Sequence, residues 1–282
     1  MTITAGTRVL HRLALGVEVI DGRTGRLAQV PVRVGREVPM ELSVPDIRRL
    51  AWPCTDLEYS GPGRFRQRQV PSLPSRVVLR AGDLARQFVP RRFELLLWPL
   101  ADLEAADQTP PAGPFVPVAS RLLRSWLLPA PSSAFAPGTT GVRGRITRGG
   151  VPVRWPRVTA FGPGGVPVGW AHGDDRGEFL LEVTGTGLLP PPVDSTIAID
   201  LEISARPAAQ TPAPDPADWC GDLPVEWVPR AAIPPAPFSL DNPQLRGRAR
   251  PPGYVASAGG RVPLTVETGT VLAVQQDLPF TD

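Results

Sequence analysis

The feature that most constrains this chain is its proline content, 37 of 282 residues. Proline fixes φ and carries no N–H, so it ends helices and stays out of the middle of a sheet. A chain with this much proline is not built from long helices. It reads as short strands, turns and extended connectors. The hydrophobic fraction of 42% is enough for packed cores. The length suits one large domain or about two to three small ones.

Residues 1–104 read as an N-terminal β domain. Leu13, Leu15, Val17 and Val19 alternate with Ala14, Gly16 and Glu18, a period near two. Asp21-Gly22 and Thr24-Gly25 supply turn chemistry. Val30, Val32 and Val34 then alternate with Pro31 and Arg33, which predicts a second strand pairing back in a hairpin. Arg64 to Val70 and Val77 to Leu79 add strand candidates. Phe93 to Trp98, FELLLW, has the length of a strand buried on both faces. Two short helical pieces are expected, where Val44-Pro45-Asp46 leads into IRRLA and where Ala81-Gly82-Asp83 leads into LARQF.

Residues 105–140 read as a proline-rich linker around an apolar patch, Leu122 to Leu128. Its leucines pack on a neighbouring domain or dock another subunit. Residues 141–205 hold strand candidates split by Gly-Gly, Gly-Pro-Gly-Gly and Asp-Asp-Arg-Gly. They end in STIAIDLEI, where Ile197, Ile199, Leu201 and Ile203 alternate strictly. That pattern predicts a small antiparallel sandwich. Residues 206–237 read as a second proline-rich, semi-rigid linker. Residues 238–282 hold two further strand candidates, RVPLTVET and TVLAVQQ, too few to bury a core alone. They must add to a preceding domain or to a partner chain. The expected fold class is all-β: two small antiparallel sandwiches, proline-rich linkers and a β-rich C-terminal arm.

All 30 basic residues are arginine, and lysine is absent. A GC-rich coding bias explains this, and so does bidentate recognition of carboxylate or phosphate. The net charge is only +3, and no basic run interleaved with aromatics suggests a nucleic-acid stripe. Cys54 and Cys220 are the only cysteines and lie in no CxxC, which favours free thiols and leaves their pairing open. The N-terminal segment lacks the uninterrupted apolar core of a signal peptide. No window approaches the ~20 apolar residues of a transmembrane helix. A cytoplasmic protein without membrane insertion is expected.

The stretch GWAHGDDRGEFLLEV, residues 169–183, holds His172, Asp174, Asp175 and Glu178. The calcium-loop spacing is absent, and zinc asks for more nitrogen or sulfur than one histidine offers. No nucleophile elbow accompanies the histidine. A tight turn explains every residue type: Asp174 or Asp175 accepts backbone N–H groups, and Gly177 takes positive φ between the strands of a hairpin. No catalytic residue, metal or cofactor is therefore assigned. The Asp174–Glu178 carboxylate pair lies within that one turn.

Val142-x-Gly144-x-Ile146, Gly150-Val151-Pro152-Val153, Arg157-Val158-x-Ala160 and Asp175-Arg176-Gly177-Glu178-Phe179 resemble the carboxypeptidase-regulatory-like, or transthyretin-like, sandwich over about 141–205. Gly16-Val17-x-Val19-x-Asp21 and Pro31-Val32-x-Val34 echo its opening hairpin, through a degenerate repeat or convergent turn chemistry. The resemblance implies a non-catalytic spacer or assembly module. The whole architecture is similar to accessory structural proteins of phage-tail-like contractile injection systems. That resemblance implies a part of the cap or baseplate, with other structural subunits as partners and a symmetric homo-oligomer within the particle. Trp126, Leu127, Trp219 and Trp227 are the expected interface anchors. The alternative is a stand-alone carbohydrate- or peptide-binding sandwich, with Trp155, Trp170 and His172 lining a shallow site.

Overall fold

The computed structural model describes residues 12–37, 52–108, 111–113, 116, 118–184, 195–228 and 242–282. The helix expected after Val44 lies outside them. The described chain is mostly β, arranged as two sandwiches.

The first sandwich begins with β1 (Leu13–Asp21), β2 (Arg33–Glu37), β3 (Cys54–Asp56), β4 (Glu58–Gly61), β5 (Arg64–Arg68), β6 (Arg76–Gly82) and β7 (Arg91–Leu96). Helix α1 (Leu100–Ala106) and β8 (Leu122–Leu127) follow. One sheet has the order β4-β5-β1-β8. The other runs β7-β6-β2-β3 and is extended beside β7 by β15 (Val225–Val228), from much later in the chain. Val17, Val19, Leu79, Phe93 and Leu127 meet between the two sheets.

Four local expectations are corrected here. The first hairpin is cut short: Ile20 and Leu27 form an antiparallel bridge, and the Ala28 N–H donates to the Val19 carbonyl at 2.9 Å, but Val30–Val34 does not continue the pairing. The turn at Asp21 closes, with the Gly25 N–H donating to the Asp21 carbonyl at 2.9 Å. β1, however, is flanked by β5 and by β8. β5 occupies its edge over Leu13–Glu18, which leaves room only for residues 26–28, so the chain crosses and β2 pairs with β3 and β6 in the facing sheet. The LARQF segment is a turn and not a helix. The Asp83 carboxylate accepts the backbone N–H groups of Gln87 (2.9 Å) and Phe88 (3.0 Å), a local alternative that outcompetes a first helical turn. FELLLW alternates as a one-faced strand only as far as Leu96, and beyond it Trp98 is buried in a separate cluster with Leu103 and Val116. Phe93 and Leu95 point inward, while Glu94 reaches Arg76 at 3.0 Å. Finally, Leu122–Leu127 is a strand of the first sheet and pairs in parallel with β1 along six positions. Burial alternates along it, so Leu123 and Leu127 are core while Leu122 is only half-buried.

The second sandwich contains β9 (Gly141–Arg148), β10 (Val151–Pro152), β11 (Arg157–Phe161), β12 (Pro167–His172), β13 (Glu178–Glu182) and β14 (Thr196–Ala205). The tail supplies β16 (Val255–Ala256), β17 (Val262–Glu267), β18 (Val271–Ala273) and β19 (Leu278–Pro279). One sheet has the order β10-β9-β13, with β18 and β19 also on β9. The other has the order β12-β11-β14, with β16 and β17 on β14. Ile199, Leu201 and Ile203 face inward at every second position, and Phe179, Leu181, Val142 and Ile146 meet them from the other sheet. The pairings of β8 with β1, β15 with β7, and β18 and β19 with β9 are parallel, where only antiparallel ones were expected.

The 169–183 stretch holds the expected turn, closed by an antiparallel bridge between Gly173 and Phe179 and by the Asp174 N–H donating to the Glu178 carbonyl at 2.9 Å, but the hairpin goes no further. β12 pairs with β11 and β13 pairs with β9, so residues 173–177 carry the chain from one sheet to the other. Phe179, Leu180 and Leu181 are all buried, so β13 is covered on both faces. Asp174 Oδ1 accepts the N–H of Arg176 (2.8 Å) and of Glu178 (3.0 Å). Gly177 has φ +74°, and a Cβ there would lie 2.5 Å from the Ile146 carbonyl oxygen.

The chain passes between the sandwiches repeatedly. After β14 it returns to the first sandwich to lay down β15, in the stretch read as a linker. Leu245 then packs in the first core before the tail rejoins the second.

The placement of β8 is testable. Leu127→Ala should lower the unfolding free energy by about 2–5 kcal/mol, the range for a fully buried leucine. Leu84→Ala, at a side chain 74% exposed, should shift it by no more than ~0.5 kcal/mol. Urea melts of both variants measure this. A docking-patch role for Leu127 predicts the same small change for both.

Candidate functional site

The chemistry-bearing side chains collect at the seam where the two sandwiches meet. Strand β7 places Arg91 there and β15 places Glu226. From the second sandwich β11 supplies Arg157 and β12 supplies His172, cross-strand neighbours in one register. All four are buried. Arg91 Nε donates to Glu226 Oε1 at 2.9 Å, and a second guanidinium nitrogen reaches Oε2. Arg91 also donates to the carbonyls of Trp126 (2.8 Å) and Leu245 (2.7 Å). Arg157 approaches Glu226 Oε1 at 3.4 Å and the Trp155 carbonyl at 3.3 Å. One carboxylate thus holds two guanidinium groups, one from each sandwich. A buried charge of this kind survives only when paired and hydrogen-bonded.

His172 lies beside this group. Its Nε2 is 2.8 Å from the carbonyl oxygen of Gly247, so Nε2 carries the hydrogen and donates. Nδ1 has no protein partner among the described residues. Burial, reinforced by Arg157 and then Arg91, holds the imidazole well below its ordinary range and therefore neutral.

Asp222 forms a second tie. It accepts from Arg154 (2.9 Å at Oδ1) and from the indole N–H of Trp155 (2.8 Å). Tyr254 donates to the Trp155 carbonyl at 3.0 Å, and burial pushes its phenol up to about 12. A third tie runs along the outer face of the first sandwich. Arg80 pairs with Glu37 and with Asp218 (2.6 Å), and Arg92 pairs with Glu37 (2.6 Å). The proline-rich 206–222 segment is thereby clamped to both sandwiches. Cys54 and Cys220 pack in one cluster with Trp52 and Trp155, unbonded to each other. Burial raises both thiols, Cys54 to about 12, which makes them poor nucleophiles.

The expected site residues are dispersed. Asp174 is committed to its turn and to Arg176, Asp175 meets Arg86 at 3.4 Å, and Glu178 meets Arg176 at 3.1 Å. His172 faces the seam instead. Among the described residues no three His, Cys, Asp or Glu side chains gather as metal ligands. Trp155, Trp170 and His172 do not converge on one shallow sugar or peptide site: His172 is buried against Gly247, the Trp155 indole is turned to Asp222, and Trp170 lies under Arg248 at 4.0 Å. Leu127 is core. Trp126, Trp219 and Trp227 are half-buried and lie under Arg246, Arg86 and Arg76. No helix among the described residues is long and apolar enough to cross a membrane.

No family model matches the chain, and no curated protein matches it. Among solved structures, the minor pilin GBS52 of the Gram-positive pathogen Streptococcus agalactiae aligns over 95% of this chain and 96% of its own, at 8% identity and a TM-score of 0.22. A likeness at that score carries no weight for fold or function.

Two measurements test the seam. Glu226→Gln leaves two buried guanidinium groups without a counter-charge and should cost about 3–5 kcal/mol. Acidification should act through His172. Its folded-state affinity for protons is depressed, so the unfolded chain binds a proton first as pH falls below 6.5. Stability is full above that pH and declines below it, with a limiting slope of about 1.4 kcal/mol per pH unit. His172→Gln should flatten this part of a Tm profile between pH 7.5 and 5. An unchanged slope would show that other groups set it.

Proposed function

We propose that this chain is a non-catalytic structural subunit, working in the cytoplasm as part of the cap or baseplate of a phage-tail-like contractile injection particle. One observation carries the structural part of this reading. The side chains that could do chemistry, Arg91, Glu226, Arg157, His172 and Asp222, are buried and spent on joining the two sandwiches. They hold a rigid body together and have no access to a substrate.

A rigid body of this kind acts through its surface. The outer edges of β4 and β17 have no strand partner among the described residues. Such edges are where neighbouring chains add strands. Pro263 on β17 and the Arg66–Glu58–Arg68 ion pairs across β4 and β5 limit unspecific pairing there. Repetition around a particle axis, with a symmetric ring of copies, fits a part that offers edges on two separate sandwiches. The placement in an injection particle rests on the sequence resemblance.

Sedimentation of a native-host lysate, with mass spectrometry following this chain, tests both levels. Co-migration with sheath and tube proteins in a megadalton fraction is the expected result. Migration in a large particle without sheath and tube would keep the structural role and overturn the placement. Migration only as a single chain of about 30 kDa would overturn the assembly reading.

A further inference from the structure

A cleft of about 350 Å³ opens beside the seam, between β10 and the proline-rich segment. Its volume lies near the lower end of the ~300–1,000 Å³ typical of small-molecule sites. Val151 and Pro152 of β10 form one wall, and Pro212 and Pro214 form the other. Prolines cannot relax far in φ, so this wall is stiff before any ligand arrives. Trp155 and Tyr254 close the inner end. Trp155 is held at φ +57°, a conformation that a bulky residue adopts only when its surroundings impose it. At the outer lip Val151 is 66% exposed, an apolar side chain with no cover from the described residues.

Three arginines line this cleft: Arg148, Arg154 and Arg206. Two have carboxylate partners. Arg148 pairs with Asp282 at 2.8 Å and Arg154 with Asp222 at 2.5 Å. Arg206 has none among the described residues. Among the described residues its guanidinium makes one hydrogen bond, from Nη1 to the Asp222 carbonyl at 3.3 Å, and lies 6.0 Å from the Tyr254 ring centre. The Asp222 carboxylate is already occupied by Arg154 and the Trp155 indole. The cleft on the far side of Pro212 differs. There Arg80 and Arg92 are matched by Glu37 and Asp218.

We propose that the Arg206 cleft binds a small organic acid, with its carboxylate on the Arg206 guanidinium and its apolar body between the β10 and proline walls. The planar fork of arginine suits a carboxylate, and the apolar walls exclude an inorganic anion that brings no matching surface.

The test is an NMR titration of the tryptophan indole N–H signals in the full chain, with phenylacetate and octanoate as probes. Phenylacetamide serves as the uncharged analogue, and a long acidic peptide as the macromolecular control. A saturable shift of the Trp155 signal with at least one of the two acids is expected. Phenylacetamide should bind at least about tenfold more weakly, and Arg206→Gln should lose a similar factor. Val151→Glu changes an exposed lip residue, leaves the fold in place and should also weaken the acids through like-charge repulsion. No saturable shift with either acid at millimolar concentration overturns the proposal. So does equal binding of acid and amide, or undiminished binding by both variants. Binding of the peptide alone would assign the cleft to a protein partner and equally overturn it.

Discussion

Glu226 is the interaction on which the rest of the architecture depends. It sits with almost no solvent exposure between a guanidinium from each sandwich. Remove it, and Arg91 and Arg157 repel each other inside a buried seam, where charges are screened far less than at the surface. Its position on β15 explains why the chain returns to the first sandwich at all. The strand that completes that sheet also delivers the carboxylate to the seam. Arg91 uses its remaining donors on the carbonyls of Trp126 and Leu245, so β8 and the 242–247 segment are fixed by the same group. The local polarity that would be expensive anywhere else becomes the means by which two cores share one orientation.

The absence of lysine gains a physical use in this setting. Trp52, Trp126, Trp155, Trp170, Trp219 and Trp227 each lie under an arginine guanidinium. A planar cation stacks on an indole face while its edge still donates hydrogen bonds, which an ammonium group cannot do. Arg154 shows both at once, over the Trp155 ring and in contact with Asp222. Coding bias and structural use are compatible, since a biased composition supplies the arginines and packing retains them.

Much of the second sandwich was legible in the sequence, and less of the first. STIAIDLEI alternates strictly because β14 has one core face, and the pattern alone identifies Ile199, Leu201 and Ile203 as core. The Asp174–Gly177 turn is legible for a similar reason: its chemistry is local. Partner choice is not local. Nothing within Leu122–Leu127 says that it pairs with β1, and its flanking prolines argued for a connector. The seam residues were missed because their types mislead. Arg91, Arg157 and Glu226 look like solvated charges, and His172 looked like part of its own turn. The available signal was charge inside strand patterns, an arginine or glutamate at a position whose neighbours are inward-facing. Large apolar residues isolated in a proline-rich stretch do not by themselves mark an interface: Leu127 has that signature and is fully buried core.

The path of the chain between the sandwiches has a consequence for how the molecule is made. The first sheet pair lacks its edge strand until Val225–Val228 has been synthesised, and β9 lacks two of its neighbours until residues 271–279 exist. The first half therefore stays open until most of the second has been made, and the second closes only once residues 271–279 exist. Contacts between residues this far apart in sequence slow the search for the native state. They also leave strand edges unpaired during translation, when edge-to-edge association is most damaging. Pro90 and Pro99 bracket β7 and keep its waiting row of N–H donors short, and a short row is a poor template for a wrong strand.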